Sequence, residues 1–296
     1  MQEKKILLRE KHAKKRTGIH VSENVLGILL LTAFFGLLRD VYASSACLIA
    51  ALVTLAVGGI AVVFHLAQPL HIFNGFGNPT SGITQELVAI VLLSIWMVVY
   101  FVMIRQSDDG NVPAWCGAIA IVLALVLDCV MSHSYMMESR PAWNNIMQIV
   151  SIVGASCMAG PATVALIAAI KGDECSIAKP LVAAGAVIGA AVNVVYLFVM
   201  NSVASQFVDL GNYFDPTHPN YAMQSVSNVS IFAAGSIAPT IVTIVALIAV
   251  VAAAVIGAKK GEWKVWGVVV VVAALVAAFA LRVTFYTMGH AALMFY

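Results

Sequence analysis

Residues 265–281 read VWGVVVVVAALVAAFAL, an unbroken apolar run with Lys264 before it and Arg282 after it. At about 1.5 Å of rise per residue the run spans about 26 Å, within reach of the ~30 Å hydrocarbon core of a bilayer. It reads as a membrane-spanning helix. Runs of the same kind occupy Val41–Phe64, Glu86–Arg105, Ala114–Met131, Ile146–Ile170, Pro180–Asn201 and Val229–Ala258, separated by turn-forming breaks such as Asp108-Asp109-Gly110-Asn111 and Lys171-Gly172-Asp173. An eighth run, Val25–Leu38, is short for a crossing and meets Arg39-Asp40 at once. The expected fold is therefore all-α, a polytopic transmembrane helix bundle of 7–8 spans.

Composition agrees. Of 296 residues, 61% are hydrophobic and 10% charged, against roughly a quarter charged in soluble domains. The chain divides into a basic tail (1–22), a short apolar segment that is interfacial, re-entrant or a short first span (23–40), and one transmembrane helical domain (41–296). A net charge of +2, with no basic stripe that follows a phosphate backbone, excludes nucleic acid as a partner. Cys47, Cys116, Cys129, Cys157 and Cys175 are scattered singly, without the spacing that ligates iron–sulfur clusters or zinc. They read as small buried hydrophobes, so any clusters that carry electrons belong to a partner.

Lys and Arg placement sets the orientation. Arg39, Arg105, Lys171, Lys179, Lys259, Lys260 and Lys264 share one alternating set of loops, with Arg140 in the other. The first set is expected in the cytoplasm. The basic tail obeys the same rule if Val25–Leu38 does not cross, which favours seven crossings over eight. The tail and Val25–Leu38 also imitate a signal peptide ending at Ala43-Ser44-Ser45-Ala46, but cleavage there would cut into the following helix.

Ionisable residues inside a membrane mark functional sites, and here they gather at the outer end. His65 closes one span and Glu86 opens the next, after a link that holds His71, Asn74, Asn78 and Ser81. Asp128 and His133 lie near the end of the Ala114 span, which leads into Tyr135, Glu138, Arg140 and Trp143. Arg282, Tyr286 and His290, and the long loop Val203–Asn228, fall on the same side. Single residues have plainer readings, as helix-end caps or as cations snorkelling to head groups. The concentration in one leaflet is what points to a site.

Quinol oxidation suits such a site, because it releases two electrons and two protons beside an apolar slot. His65 provides a proton acceptor that titrates near neutrality, and Glu86 a carboxylate to orient the quinol or relay the second proton. Arg282 with Asp128 is expected to hold the surrounding helices, and Asp128 taken alone reads as neutral or as paired with Arg282 for structural reasons. Two other readings stay open. A haem b-containing quinol-oxidising anchor needs paired axial histidines, for which only His65 and His133 are placed. An ion- or proton-coupled transporter needs ionisable groups near the midplane, where these spans are nearly all aliphatic; Pro161 and Pro239 have no charged companion.

Three stretches resemble the membrane-anchor subunit of dimethyl sulfoxide reductase, the DmsC family: Phe64-His65-Leu66-Ala67-Gln68-Pro69 with Asn78, Ser81 and Glu86; Tyr135-Met136 with Arg140-Pro141-Ala142-Trp143-Asn144; and Arg282 with Phe285-Tyr286. The resemblance implies an anchor in the bacterial cytoplasmic membrane that oxidises menaquinol, its bound substrate, near the outer face. It implies no haem or iron–sulfur cluster in this chain. The expected partners are a ferredoxin-like four-cluster iron–sulfur subunit, a molybdopterin catalytic subunit, and the membrane lipid with its quinone pool. The family's quinol-site histidine and glutamate carry over onto His65 and Glu86. Asn78, Ser81, Asp128, Tyr135, Arg140, Trp143, Arg282 and Tyr286 are expected to support the site or the docking surface. Relatives use several terminal acceptors and usually begin with a full span, from which residues 1–40 depart.

Overall fold

A computed structural model describes residues 46–56, 76–107, 112–172, 178–203 and 229–289. They form seven helices: α1 Ala46–Ala56, α2 Gly82–Gln106, α3 Ala114–His133, α4 Ile146–Lys171, α5 Ala178–Ser202, α6 Ile237–Lys260 and α7 Trp263–Thr287. Among the described residues there is no strand. Six of these helices, α2 to α7, are long and apolar enough to cross a membrane. The chain is a multi-pass membrane protein. Residues 1–45, and with them the basic tail and Val25–Leu38, lie outside the described residues.

Helices in lipid are apolar all round, so polarity does not decide which face packs inward. Size and spacing do. In α2 the buried residues Ala89, Leu93, Met97, Tyr100 and Ile104 recur at three- and four-residue steps, while Val88, Leu92, Ile95 and Val99 stay exposed towards lipid. That buried stripe packs with Leu48, Ala51 and Leu55 of α1 and with Cys116, Ala120 and Leu127 of α3. A second, alanine-rich group joins α4, α5, α6 and α7.

Backbones in the second group approach closely because glycines permit it. Gly185 and Gly189 of α5, four residues apart, face α4 so tightly that a side chain on either would enter the Cys157 or Gly154 carbonyl. Pro161 matters here. It lacks an N–H, so the Cys157 carbonyl loses its helical donor, and the Gly185 Cα comes up against that carbonyl instead.

Successive helices run antiparallel. Glu86 meets Ser134 while Trp96 Nε1 donates to the Cys116 carbonyl at 3.2 Å, and Ser236 meets Thr287 while Gly257 packs on Trp263 and Trp266. Two turns at one end of the bundle need positive φ, and glycine fills both: Gly172 at 83° closes α4 and Gly261 at 77° closes α6. That end carries Arg105, Lys171, Lys259 and Lys260, which also complement the helix C-termini, and Lys264 in the first turn of α7.

Three helix boundaries differ from the sequence expectation. α2 begins at Gly82, so Glu86 lies a full turn inside it. The run from Val229 enters its helix only at Ile237, through the turns Ser230 to Ala233 and Ala233 to Ser236. α7 continues past Arg282 to Thr287, because Thr284, Phe285 and Tyr286 pack as helical residues instead of opening a tail.

Candidate functional site

The end opposite the basic one gathers most of the expected site residues. Asn78 builds the entry turn of α2: its Oδ1 accepts from the Thr80 hydroxyl at 2.7 Å and from the Thr80 amide at 3.3 Å, and its carbonyl accepts from the Ser81 amide at 3.1 Å. Ser81 then stands at the N-cap position, its carbonyl accepting the Gln85 amide at 3.0 Å. Both residues aim the helix that carries Glu86. The half-buried Glu86 carboxylate accepts a short hydrogen bond from Ser134 Oγ, across from α2 to the residue that caps α3. Gly82 makes this possible, because a Cβ there would come within 2.6 Å of the Ser134 Cβ.

One residue further on, Tyr135 enters an aromatic column. Trp143 lies flat on Phe285, with centroids 4.7 Å apart and planes 9° from parallel. The Arg140 guanidinium covers the Trp143 ring at 4.4 Å, and that of Arg282 covers the Phe285 ring at 3.9 Å. Each ring has one face taken by the other, so the order is cation, ring, ring, cation. Tyr135 meets both rings edge-on at 6.2 and 6.1 Å, and Tyr286 meets them at 5.7 and 5.4 Å. Arg282 also lies 4.3 Å from the Tyr135 ring and donates to Tyr286 Oη at 3.3 Å.

Backbone contacts lock the column. Trp143 Nε1 donates to the Phe285 carbonyl at 2.8 Å, and Arg140 Nη1 donates to the Gly289 carbonyl. Gly289 has no room for a side chain, since a Cβ would enter the Trp143 indole. The run Arg140 to Asn145 is a tight turn in which the Arg140 carbonyl accepts from the Trp143 and Asn144 amides. Asn145 then caps α4 by accepting from the Met147 amide at 2.8 Å. The Arg-Pro-Ala-Trp-Asn motif is thus a device for turning the chain and presenting Trp143 to α7.

Asp128 is elsewhere. Its side chain is 1% exposed and accepts from Ser156 Oγ of α4 at 3.1 Å. It joins α3 to α4 at that level, while Arg282 ties α7 to the Tyr135 turn. Aromatic faces and the Tyr286 hydroxyl hold the Arg282 cation, and the Ser156 hydroxyl holds the Asp128 carboxyl. His133 ends α3 exposed. His65, His71, Asn74 and His290 lie outside the described residues. Among the described residues no three His, Cys, Asp or Glu side chains group as metal ligands.

A search confined to ionisable residues misses the buried neutral ones. Gln148, Ser151, Ser156, Asn193 and Tyr196 are all buried between helices. Their signal was in the sequence, as single amides and hydroxyls inside apolar runs.

The family model described as DMSO reductase anchor subunit (DmsC) matches residues 7–288 of the chain. No curated protein matches it.

Proposed function

We propose, from the fact that this chain belongs to the DMSO reductase anchor subunit (DmsC) family, that it holds a molybdopterin oxidoreductase at the membrane and is the subunit where menaquinol is oxidised. The observation that carries this reading is the meeting of a carboxylate with an aromatic and cationic cluster at one end of the bundle. Glu86 bonds Ser134, and the next residue, Tyr135, rests 4.3 Å from the Arg282 guanidinium. The opposite end is basic, so the positive-inside rule turns the Glu86 end outward.

In this reading menaquinol enters from the apolar layer with its head near Glu86. His65 takes one phenolic proton, and Glu86 orients the head or relays the second proton outward. Ser134 fixes the Glu86 carboxylate through its hydroxyl. The column of Arg140, Trp143, Phe285 and Arg282 gives the site a rigid wall and a positive field that favours the electron-rich quinol oxygens. Two electrons leave for a ferredoxin-like four-cluster iron–sulfur subunit docked on the same face, over the turn around Ser134–Asn144. That subunit feeds the molybdopterin subunit, where the terminal acceptor is reduced.

His65→Arg and Glu86→Gln test the assignment in the assembled complex. Loss of general acid–base function lowers quinol-driven reduction about 10²-fold or more, while reduction driven by a viologen that feeds the partner directly is unchanged. Quinol turnover equal to that of the unaltered complex contradicts the reading.

A further inference from the structure

Between α4, α5 and α7 lies a cavity of about 30 Å³, walled by Gln148, Ser151, Asn193, Tyr196, Arg282 and Phe285 with apolar neighbours. Part of its polar wall is already satisfied. Ser151 Oγ donates to Asn193 Oδ1 at 2.7 Å, and Asn193 Nδ2 donates to the Gly189 carbonyl at 2.7 Å. Gln148 and Tyr196 differ. They are 1% and 2% exposed, and among the described residues neither amide atom of Gln148 nor the Tyr196 hydroxyl has a hydrogen-bond partner. Three unpaired polar atoms in a low-dielectric interior are costly, and helices that face lipid have no bulk water to relieve them.

The cavity's size selects what relieves them. A bound water needs roughly 10–15 Å³ of such space and two to four polar partners. The volume thus admits about two waters. We propose that this cavity is an internal water site, in which about two ordered waters bridge the Gln148 amide and the Tyr196 hydroxyl beside Arg282. Gln148 both donates and accepts, and Tyr196 does the same, so a water pair closes a hydrogen-bonded ring that a halide or a cation cannot. The site adjoins the aromatic column, whose Phe285 and Arg282 form part of its wall. Gln148 and Tyr196 are then positioning residues, and the water they hold supplies hydrogen bonds on the cavity side of a buried cation.

The inference stands apart from the quinol reading and is tested without turnover. Cryo-electron microscopy of the intact complex, at a resolution that shows ordered water, is expected to reveal solvent density within hydrogen-bonding distance of both Gln148 and Tyr196. Radiolytic labelling in isotopically labelled water is expected to mark Tyr196 with slowly exchanging oxygen, with a several-fold drop in Gln148→Leu. Pairing of both groups with protein atoms, density that bromide replaces, density of ring size, or label uptake unchanged by Gln148→Leu each overturns it. Tyr196→Phe, which removes one oxygen and keeps the packing, is expected to lose the density next to that position and retain the fold.

Discussion

Replacing Trp143 and Phe285 by leucine, separately and together, measures the ring stack that ties the Arg140 turn to α7. Their near-parallel contact at 4.7 Å is worth about 0.5–1.5 kcal/mol beyond area burial. Trp143→Leu also removes the 2.8 Å bond from Nε1 to the Phe285 carbonyl, about 1 kcal/mol, and the ring beneath Arg140, about 0.5–2 kcal/mol. The single change is therefore expected to cost about 2–4.5 kcal/mol. The indole bond goes to backbone, so Phe285→Leu leaves its acceptor in place. The double-mutant cycle thereby isolates the ring–ring contribution, and about 0.5–1.5 kcal/mol of coupling is expected. Steric trapping of the unfolded state in bicelles reads these free energies directly. A coupling of zero, with both single variants folded, refutes the stacked column.

Gly189→Leu is expected to separate α4 from α5, since even a Cβ meets the Gly154 carbonyl and Met158; a loss of about 2 kcal/mol or more in the same assay is the predicted result. Ser156→Ala removes the one hydrogen-bond donor to the buried Asp128 carboxyl among the described residues and should cost about 1–3 kcal/mol, whereas an effect near zero would show that Asp128 is satisfied otherwise. Gly82→Val is expected to push α2 away from Ser134 and to lower quinol-driven turnover more than viologen-driven turnover. For orientation, Glu138→Cys and Lys260→Cys, both at exposed positions, should react with impermeant maleimide from outside and inside respectively; the reverse pattern would invert the proposed proton release.

The spans were legible because a membrane demands long apolar runs, and six of those read from sequence coincide with helices. Boundaries were less so. Gly82 and Thr84 look like loop residues beside Glu86, yet Gly82 starts the helix because only glycine fits against Ser134. That these residues gather at one end of the bundle was readable from the sequence, and how they contact one another was not. Composition cannot reveal that three aromatic rings converge on Arg282 while a serine answers Asp128. The α4–α5 contact was equally visible as Gly185-Ala-Val-Ile-Gly189, a small-residue repeat that a search for charged groups passes over. His65, the other half of the proposed quinol pair, lies outside the described residues.

A photoreactive menaquinone analogue, cross-linked in the assembled complex and mapped by mass spectrometry, tests the proposed His65–Glu86 quinol site most directly. Adducts are expected in the segment from His65 to Glu86 and around Ser134–Trp143, displaced by excess menaquinol and lost in Glu86→Gln. Displaceable adducts confined to the basic end, near Arg105, Lys171 or Lys260, would contradict it.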